Sequence, residues 1–262
     1  MKKRQGILVV SYGSSYQEER EKSIGGIENA ISSAFPEYKV YRAFTSKSIA
    51  ERIWKKEGIR VDSIEEALER ALAEGIRRLI VLQTHLIKGI RFDTMEQVVN
   101  SYNQRFDQLK IMQPIFSKDK NVDAFVDGLI TIGTKYDDGK TAVCFVGHGI
   151  DDDSETIYGR LQNEISRRGY PEFYIGTLSM KPTCKELVEW IGENKEIWHV
   201  VLVPLMLVSG YHVRKDLMGA LDDSWCNTFS RAGYMVECIE RGLGEHDFMQ
   251  NLYVDYLKNV IL

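Results

Sequence analysis

Five histidines occur in this 262-residue chain: His85, His148, His199, His212 and His246. Three of them stand just past short apolar runs, in RRLIVLQTHLIKG, AVCFVGHGIDDD and WHVVLVPLMLVSGYH. Runs of that length, closed by glycine or polar residues, are the pattern of strands buried on both faces. In an open α/β sheet, ligands bind in the crevice outside the carboxyl ends of the strands. A histidine delivered there can do two kinds of chemistry. Neutral imidazole is the commonest metal ligand, and it also transfers protons near neutral pH. His148 carries the sharpest signal, because Gly147 and Gly149 flank it. His148 and His212 fall in the same half of the chain, at the ends of different strands, so they can converge on one ion. Two ligands leave coordination positions open, which suits an ion that must be handed on. The alternative for any one strand-end histidine is that it caps a turn. His199 opens an apolar run and reads as structural. His246 precedes a terminal helix and reads as a surface residue.

Other polar groups sit at matching strand ends in the first half. Tyr12, Ser14 and Ser15 follow its first strand, Thr45 follows its second, and His85 follows its third. Their hydroxyls and ring nitrogens suit the carboxylates of a ligand. The serines could equally cap helices, and Ser15 with Glu18 three residues on has capping-box spacing. Arg42, Arg91, Arg214 and Lys215 could answer acidic ligand groups or be ordinary surface charge.

The elements that would position these residues alternate. Residues 6–10, 39–43, 79–83 and 109–113 read as strands, and so do 142–146, 173–178, 199–207 and 235–240. Helical stretches separate them. The clearest is SIEEALERALAEG, where Ile64, Ala67, Leu68, Ala71 and Leu72 form one apolar stripe and Gly75 closes the helix. A polar hinge, KYDDGKT, splits the chain, and the halves echo one another: GILVVSYGSS parallels AVCFVGHGID, VYRAFTS parallels YIGTLSM, and RRLIVLQTHLIKG parallels WHVVLVPLMLVSG. Alternating strands and helices predict parallel sheets with right-handed crossovers. The expected fold is therefore α/β, with two similar lobes, 1–136 and 137–262. Each would be a parallel four-stranded sheet flanked by helices, with a ligand cleft between the lobes. The histidine pair belongs to the second lobe, and the terminal helix is free to pack back on the first.

Composition excludes several classes. Hydrophobic content of 44%, charged content of 27% and a net charge of −4 are ordinary for a globular protein. No lysine–arginine block points to nucleic acid. Neither GxxxxGK[ST] nor a GxGxxG after the first strand is present, so no nucleotide cofactor is expected, and GxSxG is absent. The start lacks the apolar region of a signal peptide, and no run approaches the roughly 18 apolar residues of a membrane helix. A cytoplasmic protein without a membrane partner is expected. The four cysteines show no CxxC spacing, so a structural zinc site is not expected.

Seven segments together resemble a known family. ILVVSYGSSY, RAFTS at Arg42, QTHLIKG at Gln83, FVGHG at Phe145, PLMLVSGYH at Pro204, DSW at Asp223 and RGLGE at Arg241 are similar in order and spacing to the anaerobic cobalt chelatases, the sirohydrochlorin cobaltochelatases related in fold to ferrochelatases. The resemblance implies two α/β lobes and a tetrapyrrole as the partner. It implies a divalent metal, cobalt first and iron or nickel as alternatives, handled as substrate without nucleotide. It also implies that His148 and His212 are the metal-binding and catalytic histidines; Tyr12, Ser14, Ser15, Thr45, His85 and Arg91, read from their positions, are the groups expected to bind the macrocycle. A homo-oligomer is compatible with it. Two positions depart from the family's pattern. Arg91 stands where a G-x-E-Y glutamate is common, and Ser179 where a V-E-G-Y-P glutamate is common. These departures keep a second expectation open: a tetrapyrrole- or metal-binding protein without catalysis.

Overall fold

The computed structural model describes residues 4–149 and 154–261. Two four-stranded sheets of wholly parallel strands carry the architecture. In the first, β1 (Gln5–Ser11), β2 (Tyr38–Phe44), β3 (Arg78–Gln83) and β4 (Gln108–Ile111) lie in the order β2-β1-β3-β4. In the second, β5 (Thr141–Gly147), β6 (Phe173–Thr177), β7 (His199–Pro204) and β8 (Met235–Cys238) lie in the order β6-β5-β7-β8. The helices between them are α1 (Gln17–Ala34), α2 (Lys47–Glu57), α3 (Ile64–Ala73), α4 (Ile90–Asn100), α5 (Asp119–Gly133), α6 (Ser154–Arg167), α7 (Cys184–Ile191), α8 (Trp225–Arg231) and α9 (Asp247–Ile261). Among the described residues, no helix is long and apolar enough to cross a membrane.

The apolar runs become central strands because helices cover both faces of a parallel sheet. All seven residues of β5 are buried, whereas β4 and β8, at the sheet edges, alternate exposed and half-buried positions. One face of the first sheet packs Leu8, Val10, Ala43, Leu79 and Val81 against the α3 stripe of Ile64, Ala67, Leu68 and Ala71, with Phe92 and Met95 of α4. Ser63 and Glu66 close the reciprocal cap of α3, and Gly75 follows it with φ +84°. In the second sheet the matching face packs Ala142, Cys144, Val146, Val200 and Leu202 against Leu187, Ile191, Val213, Leu217, Trp225 and Phe229.

Two boundaries differ from the sequence reading. The chain divides into one compact unit of residues up to Lys118 plus those from Gln250 on, and another of Asp119–Met249. A division at 136/137 assigns α5 to the first lobe, but its side chains bind the second. Gly133 lies so close to Phe173 that an added Cβ would sit 2.4 Å from its ring, and Asp127 and Asp123 on α5 pair with Arg168. From Gln250 on, α9 belongs to the first unit, where Tyr253 donates from its buried hydroxyl to the Thr84 carbonyl at 2.7 Å. The apolar run after His199 leaves the sheet at Pro204, and Leu205–Gly210 form the loop beyond it. α6 is described from Ser154.

Candidate functional site

In each sheet the chain steps from the first strand to one side, then crosses to the other. The ends of β5 and β7 therefore flank the switch point of the second sheet, the position at whose carboxyl end open α/β sheets bind ligands. His148 is the first residue past β5. The chain there must pass close to its neighbours: a Cβ on Gly147 would meet the Tyr158 hydroxyl at 2.4 Å, and one on Gly149, at φ +77°, would lie 2.8 Å from Thr177 Cβ. Only glycine tolerates both the approach and the left-handed conformation. Ser179 fixes this turn from the end of β6. Its Oγ donates to the carbonyls of His148 at 2.7 Å and Gly149 at 3.0 Å.

His212 comes from the far end of the loop after β7, where it caps a wide π-helical turn, Val213–Leu217. Val213 and Leu217 anchor that turn in the core. The result brings the two imidazoles together edge to face, with Nε2 of His148 3.1 Å from Nε2 of His212. Two nitrogens that each bind one ion at roughly 2.1 Å, at right angles, stand about 3.0 Å apart. On its other side, His212 Nδ1 lies 2.7 Å from Asp216 Oδ2. Among the described residues no third histidine, cysteine or carboxylate completes a metal cluster. The pair can hold an ion and leave most of its coordination to other partners.

The first lobe places different chemistry at its strand ends. The Arg91 guanidinium, in the first turn of α4, stacks 4.2 Å over the ring of Tyr12, which follows β1 directly. Both side chains reach solvent. Ser14 is buried, and its Oγ accepts from the Tyr16 amide at 3.2 Å. Ser15 is not the helix cap its spacing to Glu18 suggested. The turn closed by Ser14 delays α1 to Gln17, and Tyr16 occupies the cap position without a side-chain bond. Thr45 Oγ1 and both ring nitrogens of His85 are buried with no hydrogen-bond partner among the described residues, and so is Gln83 Nε2. An orphaned buried polar group costs about 1–3 kcal/mol, so these atoms are suited to meeting water or a ligand. Burial, and then the charge of Arg91, pushes the His85 pKa down to about 4, which keeps the ring neutral.

The remaining candidates fall elsewhere. Arg42 is bound on both sides by Glu28 and Glu21, at 2.6 and 2.9 Å, and does not wait for a ligand. His199 is structural: its Nδ1 lies 3.1 Å from Thr141 Oγ1 on the neighbouring strand. His246 is buried rather than on the surface, and burial with nearby Arg241 and Lys135 lowers its pKa to about 4. Asp216 and Gln83 were not singled out in the sequence. Gln83 could have been found as a polar residue closing an apolar strand, but nothing in the local pattern flags Asp216.

Two parallel four-stranded lobes of this kind are the class II chelatase fold. SirB from Bacillus subtilis with Fe3+ superposes with a TM-score of 0.64 at 14% identity, covering 98% of this chain and 95% of that one. The model of the cobalt chelatase family, CbiK, matches residues 5–262, and the chain belongs to that family. A sirohydrochlorin cobaltochelatase of Salmonella typhimurium is 26% identical over 98% of this chain and 97% of its own. Another, from Nitratidesulfovibrio vulgaris, is 25% identical over 97% of this chain and 89% of its own.

Proposed function

We propose that this protein inserts Co2+ into sirohydrochlorin in the cytoplasm, without a nucleotide. The observation that carries this reading is the His148–His212 pair, two Nε2 atoms 3.1 Å apart at a sheet switch point, in a chain of the cobalt chelatase family. The metal is a substrate. His148 and His212 would strip part of its water shell and hold it through two neutral nitrogens, which bind cobalt, iron and nickel alike. Insertion must also remove two pyrrole N–H protons. As the ion passes to the macrocycle, each imidazole that lets go regains a lone pair and becomes a base for one of them. Ligand release and proton uptake are then one event at the same atom.

The macrocycle's carboxylates match the first lobe's groups. Arg91 cannot accept a proton, and it repels a divalent ion, so it serves an anion. Its guanidinium sits over the Tyr12 ring. Thr45 and neutral His85 have unmet hydrogen-bonding capacity, and Ser14 and Ser15 line the same β1 turn. A spectrophotometric assay with sirohydrochlorin and Co2+, Fe2+ or Ni2+ tests the proposal. Cobalt insertion should exceed the uncatalysed rate, and His148→Ala should return it to that rate.

A second reading has its own observation. Arg91 and Ser179 occupy positions where the family's pattern suggests acids, and here Arg91 stacks on Tyr12 while Ser179 binds backbone. A tetrapyrrole- or metal-binding protein without turnover would fit that change. In that case Arg91→Glu with Ser179→Glu creates activity in an inactive parent; turnover by the parent itself rules it out.

A further inference from the structure

We infer that Asp216 is the positioning residue of the metal pair, holding His212 in the one tautomer and orientation that turns its Nε2 lone pair toward His148. The inference rests on the metal-binding role proposed for His212. A neutral imidazole carries one proton, on one of two nitrogens. The carboxylate oxygen 2.7 Å from Nδ1 only accepts, so it draws that proton to Nδ1 and leaves Nε2 as the free donor atom. Metal-bound histidines are commonly held this way, and the outer carboxylate also strengthens the nitrogen as a ligand.

The turn is shaped for this contact. His212 and Asp216 are four residues apart in the π-helical segment, whose Val213 and Leu217 are buried while the two polar side chains remain partly exposed. The first lobe supplies an internal control. Arg91 stands eight residues past the end of β3, as His212 stands eight past the end of β7. Four residues on from Arg91 is Met95, which is 1% exposed in the core. The carboxylate thus accompanies the imidazole and is missing where the equivalent residue is an arginine. Ser179 complements it from the other side, fixing the backbone of His148 while Asp216 fixes the ring of His212.

The test uses the full chain and Co2+ alone, titrated by its visible absorption, followed by insertion kinetics. Asp216→Asn keeps the shape and removes the charge. It should weaken Co2+ binding by about 10- to 100-fold and raise the metal KM more than it lowers kcat. Asp216→Glu should lie closer to the parent than to the asparagine variant. In a His212→Ala background, Asp216→Asn should have no further effect on Co2+ binding, because its action runs through His212. The inference is overturned if Asp216→Asn binds Co2+ as the parent does, or if it weakens binding equally with His212 absent. The underlying reading fails separately, if His212→Ala leaves Co2+ binding intact.

Discussion

Tyr12 follows β1 by one residue and His148 follows β5 by one; Arg91 and His212 each lie eight past the end of the neighbouring strand. The strands beneath are in the same register, Val10 opposite Gln83 in one lobe and Val146 opposite Pro204 in the other. Even the turn is shared. Gly13 and Gly149 both have positive φ, and each passes against the last residue of the adjacent strand, Phe44 or Thr177. In both lobes the paired residues touch. One pair is a guanidinium on a phenol ring, and the other is two imidazoles nitrogen to nitrogen. The frame delivers two side chains to one point in each lobe, an arginine with a tyrosine in one and two histidines in the other.

The largest expected effect comes from the second lobe. His212→Ala should lower cobalt insertion by roughly 100-fold or more, since the proposed mechanism gives this residue the roles of both ligand and base. Arg91→Ala, its counterpart, should leave Co2+ binding unchanged and raise the sirohydrochlorin KM by about 10-fold, the worth of one charge-assisted hydrogen bond. Equal effects of the two substitutions on metal affinity would break the division of labour. A sharper test converts one lobe toward the other. With Tyr12→His and Arg91→His together, calorimetric titration should find a second Co2+ per chain, bound more weakly because Met95 supplies no carboxylate.

The glycine turns should cost stability alike and activity unlike. Gly13→Ala and Gly149→Ala each force a left-handed residue against a neighbour and should destabilise by about 1–3 kcal/mol in denaturant unfolding. Only Gly149→Ala should also impair metal binding. The smallest effect is on pH. His85 and His246, one in each lobe, both have pKa values lowered from 6.5 to about 4. As pH falls from about 6.5 to 4, the unfolded chain takes up protons that the folded rings refuse, so stability declines across that window. Thermal melts of His85→Gln and His246→Gln should each show a shallower decline than the parent. A parental slope in either variant would remove that ring from the account.

Much of this is legible in the sequence. Buried parallel strands write themselves as unbroken apolar runs, and glycine after such a run marks where a side chain is presented, so His148 and His212 stood out. The echo between halves was visible because the same register needs the same run lengths. What stayed hidden depends on contacts distant in sequence or on turns without a pattern. Nothing in VRKDL announces a π-helical turn that aims Asp216 at His212. The stacking of Arg91 on Tyr12 joins the first turn of α4 to the loop after β1. Arg42 looked available until Glu21 and Glu28, on the helix before it, claimed its guanidinium. The polar hinge at Lys135–Thr141 suggested a lobe boundary, but the allegiance of α5 was decided by Gly133 against Phe173 and by Arg168.

The exchange of allegiance at α5 and α9 bears on the order in which the protein is built. The lobe that carries His148 and His212 is one uninterrupted stretch, Asp119–Met249, while the other lobe takes residues from both sides of it. Domains emerging from the ribosome generally fold in the order they are made. Here the lobe begun first is complete only once Tyr253, which donates to the Thr84 carbonyl, has been synthesised. The stretch that brings His148 and His212 together is therefore synthesised before the other lobe is complete.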